Sequence, residues 1–188
     1  MELIKEADVL IAGERILKQF SGLKKDTFII KNNLEQMADF IREQSLTRKV
    51  AVLASGDPGM YGILNFLRKH FTQNELLVIP GISSMQLACA KLCISWHDAL
   101  LTSTHGRGVE KVVEQIRNHS KVILLTGPEA TPAHIARVLI EAGIKDKKAA
   151  FCGNLSYPEE VIFRGTLEEV AQQDLISNSV MVISDDEI

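Results

Sequence analysis

The segment "VLASGDPGMYGI", Val52 to Ile63, decides how the chain is read. The aliphatic run that enters it has the content of a buried strand and stops at Ser55. Gly56, Asp57, Pro58 and Gly59 follow, and helix-compatible sequence resumes beyond them. A strand that turns tightly into a helix is the repeating half of an α/β unit. Gly, Asp and Pro are the residues such a turn asks for, so geometry alone accounts for them. The alternative is that the Asp57 carboxylate points at a ligand, and both readings stand at this level.

Outward from this turn, "DVLIAG", "DTFIIK", "KVAVLAS" and "ELLVIP" read as short strands. Between two of them, "NNLEQMADFIREQ" puts Leu34, Met37, Ala38 and Ile41 on one helical face. Strands alternating with helices imply a largely parallel sheet covered on its faces. The second half repeats the alternation with "ALLTS", a helix across Val109 to Arg117, "KVILLT", and a helix in "TPAHIARVLIEAG". That last segment carries Thr131 as N-cap, Pro132 in the first turn and Gly143 at its C-terminal stop. In "AAFCGNLSYPEEVIFRG" two apolar runs flank Asn154, Ser156 and Pro158, a link too short for a crossover, so an antiparallel pair is expected. A short helix from Leu167 and a last strand "SVMVIS" follow. The expectation is an α/β protein of two lobes, 1–98 parallel and 99–188 mixed, joined near Trp96 to Ala99. Ligands of such sheets meet the loops at the carboxyl ends of strands.

The chain has 188 residues, 46% hydrophobic and 24% charged, enough to bury a core. A net charge of −3 with interspersed signs offers no basic field for nucleic acid. No apolar run of about eighteen residues is present, so no membrane span is expected. The opening "MELIKEADVLIAG" mixes charges into its apolar positions, unlike a secretion signal, which points to the cytoplasm. Cys89, Cys93 and Cys152 are too few and too odd for a disulfide framework. Cys89 and Cys93 lie one helical turn apart without Cys or His pairs nearby to complete a metal site, so they are expected as small buried side chains, and no metal is expected.

Three loops concentrate glycine with polar groups at strand ends: "SGDPGMYG", "PGISS" and "STHGRG". None is a Walker A loop or a dinucleotide fingerprint. In this order and spacing, with "EADVLIAGERIL", "VIPGISSMQLACAKL", "TPAHIARVLIEAG" and "YPEEVIFRGTLEEV", they resemble the tetrapyrrole (corrin and porphyrin) methylase family over essentially the whole chain. "HGR" and the tyrosine-proline-glutamate stretch resemble its C(5)-methylating branch in cobalamin biosynthesis, which acts on cobalt-precorrin-7 or precorrin-6Y.

The resemblance implies an S-adenosylmethionine-dependent C-methyltransferase, a homodimer with the cofactor in a cleft between two α/β lobes. It implies Gly56, Asp57 and Met60 as cofactor contacts, with Ser83 and Ser84, and in the second lobe Thr126, Asn154 and Leu155. Ser103, His105 and Arg107 of "STHGRG" are implied for the tetrapyrrole; a guanidinium and an imidazole suit its acetate and propionate arms, although Arg107 also reads as a solvated loop charge. No catalytic base is identified. C(15) methylation and decarboxylation are expected of a separate enzyme. The family also implies a first strand and a glycine-rich loop ahead of "EADVLIAG", and this sequence is expected to lack them; a binding protein without catalysis, or a methylase for another substrate, is the alternative.

Overall fold

Four consecutive buried residues, Val9–Ala12, form the central strand (β1) of the first unit in the computed structural model, which describes residues 1–104, 108–173 and 179–188. β1 lies between β2 (Asp26–Ile29) and β3 (Val50–Val52), parallel to both, with Ile11 opposite Phe28 and Val52. A parallel strand covered on both faces has no polar side, and this one alternates between two cores. Val9 and Ile11 pack with Met37, Ala38 and Ile41 of α3 (Leu34–Ser45) and with Leu67 of α4 (Leu64–His70). Leu10 and Ala12 pack with Ala7 and with Leu17 of a short helix, Glu14–Gln19 (α2), which follows α1 (Glu2–Glu6). The expected face of α3 is therefore the buried one.

"ELLVIP" departs from its expected strand. Residues 76–80 pair in no sheet among the described residues, and Leu77 and Ile79 are 78% and 53% exposed. Aliphatic content supplies β propensity, but a strand exists only where a neighbour takes up its N–H and C=O groups.

The second unit is built on a five-stranded sheet. Its elements are α5 (Ser84–Leu92), β4 (Leu100–Ser103), α6 (Glu110–Asn118), β5 (Lys121–Leu125), α7 (Pro132–Glu141), β6 (Lys148–Gly153), β7 (Val161–Thr166), α8 (Leu167–Ala171) and β8 (Ser179–Ser184). The order is β4-β5-β8-β6-β7, in which β4 and β5 are parallel and every other pair antiparallel. The last strand thus inserts between β5 and β6 and makes the sheet mixed. Phe151, Leu124 and Met181 meet Ile116, Ile135 and Leu139 in its core. The units divide at Ser83 and Ser84, ahead of Trp96 to Ala99, because α5 packs against β5 and β8.

Local signals explain the ends of these elements. Thr131 Oγ1 accepts the His134 N–H at 3.3 Å, Pro132 opens α7, and Gly143 takes φ +80° beyond it. Thr166 and Glu169 form a reciprocal capping box at α8. Replacing Phe151, 1% exposed and stacked on Phe163 at 5.5 Å, by Ala should cost about 3–5 kcal/mol in urea unfolding. Leu77→Ser should stay within about 0.5 kcal/mol of wild type; a loss as large as that of Phe151→Ala would mean that residues 76–80 are packed in a sheet.

Candidate functional site

Beyond β3 the chain makes one more strand-like bond, Leu53 N–H to the Ile11 carbonyl, and then turns. Gly56 adopts φ +82°, a conformation that costs glycine nothing. Asp57 Oδ1 accepts the Gly59 N–H at 2.8 Å, the local bond by which aspartate closes a turn. Its second oxygen does something the sequence does not announce. Oδ2 accepts the N–H of Gly81 at 3.2 Å, 24 residues on, in the Pro-Gly-Ile-Ser loop. The two loops approach so closely there that a Cβ on Gly81 would lie 2.5 Å from the Gly56 carbonyl oxygen. Both of the first two glycine-bearing loops are therefore one backbone-lined cluster, with Met60 half-buried beside it and Ser83 buried.

In the second unit, register gathers the other candidates at one end of the sheet. Ser103 ends β4 opposite Leu125, the last residue of β5, and Gly153 at the end of β6 faces Ser179 at the start of β8. Ser103, Thr126, Asn154 and Leu155 thus sit at the carboxyl ends of β4, β5 and β6. Thr126 is buried and its hydroxyl is engaged, donating to the Ser179 carbonyl at 2.9 Å and accepting the Ser179 N–H at 3.2 Å. Its backbone N–H also donates to the Ser179 carbonyl, at 3.0 Å, so its polar contribution to a ligand is left to its backbone carbonyl. Asn154 is exposed in the left-handed region, φ +49°, and Leu155 is half-buried. Ser84 is the first residue of α5. His105 and Arg107 lie outside the described residues; Ser103 is buried.

Residues 1–171 match the family of Tetrapyrrole (Corrin/Porphyrin) Methylases. The chain belongs to this family. A cobalt-precorrin-7 C(5)-methyltransferase of Salmonella typhimurium is 34% identical over 98% of this chain and 90% of its own length. A precorrin-6Y C(5,15)-methyltransferase (decarboxylating) of Sinorhizobium is 33% identical over 75% of the chain, which covers 34% of that longer protein. The crystal structure of uroporphyrin-III C-methyltransferase from Thermus thermophilus, complexed with S-adenosyl homocysteine, superposes with a TM-score of 0.75 at 21% identity, covering 98% of this chain and 88% of that one. At that identity the likeness is one of fold.

One feature of this methylase escapes the sequence. Glu160 Oε1 accepts the Lys91 ammonium at 2.7 Å, and its Oε2 accepts the Ser156 N–H at 3.0 Å. Arg164 adds a bond to the Lys91 carbonyl at 3.2 Å. Together they tie the last turn of α5 to the β6–β7 link and hold Ser156 at φ +69°. "YPEEV" offers two carboxylates near the turn, but the partner that selects Glu160 lies 69 residues away. Cys89 is buried as expected; Cys152 is buried too, and burial pushes its thiol up to about 11, so it carries no nucleophile at neutral pH. Cys93 is exposed, contrary to expectation, because α5 has ended and residue 93 turns at φ +56°.

The Lys91 ammonium and then the Ser156 N–H hold the Glu160 carboxyl below its ordinary value near 4.5. A depressed carboxyl contributes stability that is present above its unfolded value and lost as pH falls through the folded one. Amide exchange in Gly153–Val161, corrected for intrinsic rates, should therefore be flat from neutral pH to about 4.5 and accelerate only in stronger acid. Glu160→Gln should exchange fast at every pH; equal protection in that variant would show that the ion pair does not order the link.

Proposed function

We propose that the protein transfers the methyl group of S-adenosylmethionine to C(5) of cobalt-precorrin-7, or of precorrin-6Y. The observation that carries this reading is near-full-length similarity to a relative named for that activity, at 34% identity. The residues suit the cofactor. Exposed glycine backbone at Gly56, Gly59 and Gly81 lets a ligand approach the first unit closely, with Met60 and Ser83 beside it. In the second unit the residues at the strand ends, polar Thr126 and Asn154 with apolar Leu155, suit an adenosyl moiety, and Ser84 opens α5. Ser103, with His105 and Arg107 after it, is assigned to the carboxylate arms of the tetrapyrrole.

Bound S-adenosylmethionine supplies a sulfonium methyl already activated toward an electron-rich ring carbon. What remains for the chain is to align the two reactants and exclude water, which can lower a barrier by about 7–11 kcal/mol. Neither a cysteine nucleophile nor a catalytic triad is called for by this chemistry. The reading extends to a homodimer in the cytoplasm. It also assigns C(15) methylation and decarboxylation to a separate enzyme, in keeping with a Salmonella relative named for C(5) alone, where the Sinorhizobium relative is named for both positions.

Incubation with methyl-labelled S-adenosylmethionine and cobalt-precorrin-7 should place the label on C(5), read by carbon NMR of the product. Label on another ring carbon, or on none, overturns the assignment. Arg107→Ala should weaken tetrapyrrole binding about ten- to hundredfold while leaving S-adenosylhomocysteine affinity unchanged, the worth of one charge-assisted carboxylate contact. Equal losses for both ligands would make Arg107 a support of the fold.

A further inference from the structure

We propose that Asp57 is a positioning residue, whose carboxylate clasps the Gly-Asp-Pro loop to the Pro-Gly-Ile-Ser loop and shapes the cofactor site through their backbones, without itself contacting the ligand. The proposal rests on the reading that these loops bind S-adenosylmethionine. Each carboxylate oxygen already holds one backbone N–H, Oδ1 that of Gly59 and Oδ2 that of Gly81. The first bond fixes the turn and the second fixes where the turn sits. Bonds to an ionised acceptor are the stronger kind, and two of them with different directions set the orientation of the carboxylate plane.

The contact that these bonds close is a backbone-to-backbone one. Position 81 has room for hydrogen only, since a Cβ would also lie 3.0 Å from the Gly56 carbonyl carbon. Gly56 at φ +82° turns that carbonyl toward Gly81, and the Met60 N–H bond to the Asp57 carbonyl at 3.3 Å continues the turn. Swinging the carboxylate away onto a ligand would give up at least one of these N–H groups and loosen the loop contact with it. Asp57 is thus better placed to hold the two loops than to reach beyond them.

The test is S-adenosylhomocysteine affinity by calorimetry for wild type, Asp57→Asn, Asp57→Ala, Gly81→Ala and the Asp57→Ala/Gly81→Ala pair, with amide exchange at Gly59 and Gly81 measured without ligand. Gly81→Ala parts the loops while leaving the carboxylate in place, so it separates a clasp from a direct contact. The expected result is a loss of about ten- to hundredfold for Asp57→Ala and for Gly81→Ala, with the double variant no weaker than the worse single one. Asp57→Asn should lie between, since its amide oxygen keeps one of the two N–H bonds. Gly81 exchange should accelerate about tenfold or more in Asp57→Ala. Losses that multiply in the double variant overturn the clasp, as does unchanged Gly81 exchange. Lowered thermal stability with unchanged affinity in the folded variants would make Asp57 structural only and also overturns it. Should Gly81→Ala fail to fold, Asp57→Asn and the exchange rates decide alone. Wild-type protein that binds no S-adenosylhomocysteine overturns the cofactor reading, and Asp57's part in it, while the Gly81 exchange still reports on the bond.

Discussion

Gly81 passes the Gly56 carbonyl with no room for a side chain between them, and the Asp57 carboxylate holds that passage closed. The loop geometry of the first unit depends on this constraint. The turn after β3 needs a residue free to take φ +82°, and the Pro-Gly-Ile-Ser loop needs one that lets backbone approach backbone. Between them stands a short acceptor able to bond locally and at long range at once. Glutamate would be too long to close the local turn, and asparagine would present a donor to one of the two N–H groups. The cofactor proposed for this methylase asks for backbone that can be closely approached and small residues at strand ends, and almost no reactive side chains.

The second unit reaches a similar end by different means. Its candidates are aligned by sheet register, which sets the ends of β4, β5 and β6 side by side. Thr126 and Ser179 lock two of the strands there, and the Lys91–Glu160 pair fixes the link beyond β6. Each unit thus presents backbone and small side chains held by bonds that are remote in sequence. That arrangement suits chemistry in which positioning, and not a proton relay, is the enzyme's contribution.

Much of the fold was legible because its signals are local. Thr131, Pro132 and Gly143 delimit α7 by rules that act within one turn, and the spacing of Leu34, Met37, Ala38 and Ile41 names the buried face of α3. The antiparallel β6–β7 pair followed from a link too short for anything else. The failures are all questions of partnership. "ELLVIP" has a strand's composition but lacks a ladder among the described residues; α5 has an apolar face that does not say which sheet it covers; Cys93 turns outward because α5 ends before it. At the candidate site, the family resemblance named the loops to look at, while the bond from Asp57 to Gly81 and that from Glu160 to Lys91 span 24 and 69 residues and leave no local trace.

The central claim is that the Asp57 carboxylate belongs to the loops and not to the ligand. A crystal structure of the protein with S-adenosylhomocysteine bound tests it most directly. Asp57 Oδ1 and Oδ2 should still accept the Gly59 and Gly81 N–H groups there, with no cofactor atom within hydrogen-bonding distance of either oxygen. A carboxylate turned onto the cofactor, with the Gly81 N–H released, would contradict it.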